Sequence, residues 1–201
     1  MKYFALPLLL LLATSAVAAA PAVQDTSYRE ANGARVQQLE LVIDAPAAKI
    51  WDALTTDAGF MGWGAPVAHV TLGNDGMIEA SYRLSAKIGD ADNIRNQIVA
   101  YLPGRMLVLR NAHVPKGAPF KPDVIAKIRT VIVLDPVSDG ATRVTISGVG
   151  YGEGADFDEM YALFRAGNAE ELTALAQYLG AGPIDWKARA ARMNASVGAK
   201  N

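Results

Sequence analysis

The chain has 201 residues with 19 basic and 20 acidic side chains, two histidines and no cysteine, and 51% of it is hydrophobic. A formal charge of −1 offers no basic field for nucleic acid, and the lack of thiols excludes disulfide staples and cysteine nucleophiles alike. The length fits one domain able to bury well over half of its unfolded surface.

The amino terminus reads as an export signal. Lys2 supplies the positive start, residues 6–13 an apolar core broken only by Pro7, and Ala16-Val17-Ala18-Ala19-Ala20 a small-residue cleavage zone. The apolar core is shorter than the ~20 residues a spanning helix needs, and a lipoprotein would require a cysteine. Residues 1–20 are therefore expected to be a cleaved signal peptide, leaving a periplasmic or secreted product with no stable membrane insertion. Residues 21–34, rich in Ala, Pro, Ser, Asn and Gly, lack periodicity and read as an exposed linker.

Over 36–43, Leu39, Leu41 and Ile43 alternate with Gln38, Glu40 and Val42, the period of a half-buried strand. Pro46 then suits a first helical turn, and Ile50, Trp51 and Leu54 follow at helical spacing. A second short helix over 57–62 ends at Gly62-Trp63-Gly64 before Pro66. Strand-like runs follow at 67–72, 77–85, 94–102, 105–112, 126–134 and 142–149, and Asn74-Asp75-Gly76, Pro103-Gly104 and Asp139-Gly140 mark turns. That makes seven strands in all. Between them, 113–123 carries Pro115, Gly117, Pro119 and Pro122 and reads as a long loop.

From Asp156 a helical pattern sets Phe157, Met160, Tyr161, Phe164, Leu172, Leu175 and Leu179 on one apolar stripe, ending at Gly180, Gly182 and Pro183. Beyond it, 181–201 reads as a tail whose 186–193 segment forms a helical turn or two. The pattern predicts an α+β helix-grip: a curved antiparallel sheet of about seven strands wrapped around a long carboxy-terminal helix, with two short helices after strand 1. The domain is expected over 35–180.

Three stretches carry a family resemblance: residues 43–54, Ile-Asp-Ala-Pro-Ala-Ala-Lys-Ile-Trp-Asp-Ala-Leu; Trp63; and Gly148-Val149-Gly150-Tyr151-Gly152 running into Phe157, Tyr161, Phe164, Gly167-Asn168 and Leu172. In these the chain resembles the START-related SRPBCC superfamily, and within it the branch similar to the activator of heat shock protein 90 ATPase. The resemblance covers nearly all of the chain beyond the signal, and its motifs are structural. It implies the helix-grip fold and, through members that bind lipids, hormones or polyketides, a small hydrophobic ligand. Export sets this chain apart from the cytosolic chaperone activators.

Catalytic and metal signals are thin. His69 lies in a strand and reads as structural or surface, His113 opens the proline-rich loop and reads as solvated, and neither sits in a nucleophile motif. With the two histidines far apart and the acids scattered, no metal, cofactor or catalytic residue is assigned. Gly148, Gly150, Gly152 and Gly154 lack the lysine of a phosphate loop and read as clearing space for the crossing helix or a ligand.

Candidate ligand-binding residues are Trp63, Tyr82, Asn96, Tyr161, Phe164 and Asn168. Asn168 falls mid-stripe, so its amide either points into a cavity or, with Glu171 three residues on, forms a capping box where the helix restarts. Asn96 shares a strand face with Ile94 and Ile98 unless a bulge turns it out, and Tyr82 shares one with Ile78, Ala80 and Leu84. Trp63 caps a pocket mouth or fills the core.

The leading expectation is an exported, non-catalytic binding protein for a small hydrophobic or amphipathic ligand held between sheet and helix. One alternative is an enzyme, a hydrolase, cyclase or dehydratase, with a pocket tyrosine or acid as proton donor. The other is a protein-interaction module using Arg83, Arg95, Gln97, Lys127 and Arg129 on the outer face, its partner unnamed.

Overall fold

Nine antiparallel strands curl around one 27-residue helix in the computed structural model, which describes residues 22–118 and 121–198. The signal expected at 1–20 and Pro119 of the proline-rich loop lie outside the described residues. In chain order come β1 (Gln24–Asp25), β2 (Tyr28–Arg29), β3 (Arg35–Ile43), α1 (Ala47–Thr55), α2 (Asp57–Trp63), β4 (Val67–Thr71), β5 (Met77–Ser81), β6 (Ile94–Leu102) and β7 (Met106–His113). There follow α3 (Pro122–Ile125), β8 (Arg129–Ser138), β9 (Ala141–Tyr151), α4 (Ala155–Ala181) and α5 (Trp186–Gly198). The strand order is β1-β3-β9-β8-β7-β6-β5-β4, with β2 also pairing β3. The expected helix-grip and its seven main strands are present.

Alternation decides which side chains face α4. On β3 the buried series Leu39, Leu41 and Ile43 begins two residues earlier with Gln37, which is wholly buried. Opposite it on β9, Val144 and Ile146 pair with Leu41 and Leu39. These meet Ile50 and Leu54 of α1 and Leu172 and Leu175 of α4 in the main core. Full burial of each such aliphatic side chain is worth about 1.5–3 kcal/mol. A second cluster, with Val124, Ile125, Ile128, Tyr151 and Met160, closes the far end of the sheet.

The departures from the sequence reading are local. Within the 21–34 stretch, Gln24–Asp25 and Tyr28–Arg29 lie along the edge of β3, two-residue strands too short to show a period. β5 ends at Ser81, so Tyr82 and Leu84 leave the strand face they were expected to share with Ile78 and Ala80. α3 takes the end of what reads as loop and the gap before the strand expected at 126, which begins at Arg129 instead, because Pro122 at its first turn starts a helix as readily as it breaks one. A bulge between Ile98 and Ala100 leaves Val99 and Leu102 exposed.

Candidate functional site

A cavity of about 260 Å³ separates the two core clusters. Its floor is three strands in alternation: Ile94 and Asn96 from β6, Leu107, Leu109 and Asn111 from β7, and Thr130 and Ile132 from β8. α4 roofs it with Phe164, Asn168 and Glu171, and α2 closes one side with Phe60 and Trp63. An outer chamber of about 460 Å³ adjoins it, lined by Leu84, Glu170, Ala174, Trp186 and Arg189 among others. The two chambers share Trp63, Tyr82 and Glu171.

Polar groups are few and mostly fixed. Asn168, buried in the middle of an unbroken α4, donates from Nδ2 to Gln37 Oε1 at 2.8 Å, and Gln37 Nε2 donates to the Tyr161 carbonyl at 2.8 Å. The chain settles Asn168 as a roof residue tied to β3, with no helix restart at Gly167. Across the cavity Asn111 Nδ2 donates to Asn96 Oδ1 at 3.1 Å. That leaves Asn96 Nδ2 and Asn111 Oδ1, a donor and an acceptor, for whatever occupies the space.

Where the chambers meet, Glu171 lines both; it is exposed by surface area, yet protein crowds its carboxyl. Desolvation, with a smaller contribution from the charge of Glu170, pushes its carboxyl up to about 7 from an ordinary 4.5. Tyr82, 64% exposed at the mouth, is pushed up to about 12 by the crowding of its hydroxyl and by Glu171. A carboxyl held near neutrality can keep, give or take a proton at physiological pH. Among the described residues no three histidines or acids gather as metal ligands, and no helix is long and apolar enough to cross a membrane.

Of the six residues expected at the site, the fold brings five together: Trp63, Tyr82, Asn96, Phe164 and Asn168 all line the inner cavity. Trp63 fits both of its readings, since it is buried, donates Nε1 to the Ala53 carbonyl at 2.9 Å and still forms wall in both chambers. Tyr82 arrives from a loop, and Asn96 faces the cavity although the β6–β7 register shifts between Arg95 and Asn96. Tyr161 is held elsewhere, its ring edge-on to Tyr151 at 5.0 Å and under the Arg35 guanidinium. Gln37, Asn111 and Glu171 were missed. The first two continue visible alternations, Gln37 with Leu39 and Asn111 with Leu107 and Leu109, whereas Glu171 carries no local signal.

The remaining candidates have partners within the chain. His69 Nδ1 pairs with Asp57 Oδ2 at 2.9 Å on the surface, and the His113 ring bonds the Ala91 carbonyl. Arg95 pairs with Glu79, and Arg110 bonds Gln97. Gly152 makes room for the Phe157 ring at the start of α4, and Gly148 for the Tyr151 ring.

The model of the family described as polyketide cyclase / dehydrase and lipid transport matches residues 36–180. No curated protein matches. Among solved structures the chain is similar to the Aha1 dimer from Colwellia psychrerythraea, with TM-score 0.54 and 20% identity over 73% of this chain and 97% of that one. It is similar to EF2215 from Enterococcus faecalis, with TM-score 0.55 and 17% identity over 89% and 92%. CalU16 from Micromonospora echinospora gives TM-score 0.53 and 18% identity over 86% and 90%. At these identities the likeness shows the fold.

Proposed function

The chain belongs to the polyketide cyclase / dehydrase and lipid transport family of the SRPBCC helix-grip superfamily, and from that membership we propose that it binds a small hydrophobic or amphipathic ligand between the sheet and α4. The carrying observation is the inner cavity: a mostly aliphatic and aromatic lining with one amide pair and one roof amide, the composition of a ligand pocket. The sequence of residues 1–20 adds that the protein does this after export, in the periplasm or outside the cell.

The test is native mass spectrometry and solvent extraction of the purified protein, beside a Leu109→Trp variant whose indole fills the cavity from β7. A ligand carried by the wild type and lost from a folded variant supports the reading. An empty wild type that also fails to take up an apolar fluorophore overturns it.

Glu171 favours a second reading. A carboxyl pushed up to about 7 in a cavity wall it shares with Tyr82 suits proton transfer to a bound carbonyl or enol, the step a cyclase or dehydratase needs. On this reading the extracted molecule is chemically altered on incubation with the protein, and Glu171→Gln stops the change while binding persists. A ligand recovered unchanged by both proteins returns the choice to binding alone.

A further inference from the structure

The outer chamber carries a charge pattern that the apolar pocket does not explain. Its wall sets the carboxyls of Glu170 and Glu171 among the aromatic rings of Trp63, Tyr82 and Trp186. Into this space α5 brings a single cation, Arg189, whose guanidinium carbon lies 5.5 Å from the centroid of the Trp186 ring. Tyr82, Glu170, Glu171 and Arg189 all line this one chamber, and the two carboxylates raise the pKa of the Tyr82 hydroxyl while Arg189 opposes the rise. The helix that delivers Arg189 is pinned to α2 at its start by Trp186 Nε1 donating to the Met61 carbonyl at 2.7 Å and Ile184 N donating to the Gly62 carbonyl at 2.9 Å.

Resting on the binding reading above, we propose that the outer chamber is a cation site, which takes the protonated amine of an amphiphile whose apolar body lies in the inner cavity, beside Arg189 and against the two carboxyls. Aromatic faces and carboxylates are the groups that hold an ammonium. Arg189 stacks on Trp186, and besides desolvation only Glu170 weighs on the Glu171 carboxyl, so an alkylammonium in the outer chamber meets both carboxyls. A carboxylate ligand would meet like charge there and find only a guanidinium already seated on an indole. A neutral alcohol would gain the apolar wall and nothing from the charges. A cation beside Glu171 also favours its ionised form, so the amine advantage belongs at pH 8 and shrinks toward pH 6 as the carboxyl takes up its proton.

The experiment displaces a neutral fluorophore, N-phenyl-1-naphthylamine, from the purified protein with octylamine, 1-octanol or octanoate at pH 8. Octylamine is expected to act at about one-tenth the concentration of octanol, with octanoate the weakest of the three. Replacing Glu170 and Glu171 by glutamine should bring octylamine to parity with octanol and leave octanol unchanged, and Arg189→Ala should improve octylamine a few-fold. Octanoate as the best competitor, octylamine no better than octanol, or an amine advantage that survives the double variant overturns the cation site while the binding reading stands. Failure of the fluorophore to bind at all overturns both.

Discussion

Asn168 shows how one side chain can satisfy two opposed demands. Its position on the stripe buries it, and its amide then needs a partner, which Gln37 supplies from the opposite layer; Gln37 in turn reaches the Tyr161 carbonyl two turns back on α4. Asn168→Ala leaves Gln37 Oε1 buried without its donor and should cost about 1–3 kcal/mol, read as a lower urea midpoint with an unchanged slope. A loss under about 0.5 kcal/mol would mean that the carbonyl oxygen finds another partner. Burial of Asn168 follows from its spacing, but the choice between cap and roof does not, because Gln37 lies 131 residues away.

Glu171 yields a pH prediction. The folded chain holds this proton more tightly than the unfolded chain, so the stability it provides is full below the ordinary 4.5 and is lost as pH rises toward about 7. Water in the chambers screens the effect to about 1 kcal/mol, or roughly 2–4 °C in melting temperature. Glu171→Gln should therefore melt above the wild type at pH 8 by that amount and match it at pH 4. Equal melting at both would show that the carboxyl is well hydrated.

Among the elements, the long ones are legible and the short ones are not. β3 from Gln37 onward and α4 keep one period, and their inward residues follow from it, whereas β6 loses its own at the register shifts beside Asn96 and Ala100. β1 and β2 span two residues each and α3 four, lengths at which no period exists. The end of β5 is invisible for another reason: Tyr82 and Leu84 continue its alternation in sequence although pairing with β6 stops at Ala80 and the chain turns off toward the mouth. The end of β9 is set by Gly150, whose φ of +93° and close approach to the Lys127 carbonyl leave no space for a Cβ. Gly150→Ala should cost about 1–3 kcal/mol for the backbone conformation alone. Thermal unfolding measures it, and a neutral result would mean that the β9 end re-forms around alanine.

At the scale of the whole molecule, the cavity is the space between two core clusters that do not merge. Its existence was expected from the fold, but its size, its adjoining outer chamber and the placement of Glu171 depend on how α2, α4 and α5 converge, which no local pattern encodes. Because the chambers exist only in the folded chain, an occupant should raise the melting temperature with concentration. At a hundred times its dissociation constant the gain is about 2.7 kcal/mol. Leu109→Trp should erase that dependence while retaining the far-ultraviolet signature of the fold. An undiminished gain in that variant would place the occupant outside the inner cavity.

The pairing of β3 with β9 has a kinetic corollary. Leu41 and Val144 become neighbours only after about a hundred intervening residues have been made and brought round, so the ribosome releases most of the polypeptide before the middle of the sheet can zip. Local hairpins such as β4–β5 form early, yet they have no surface on which to consolidate. Such a topology matures slowly and late, which would suit the export proposed for this chain.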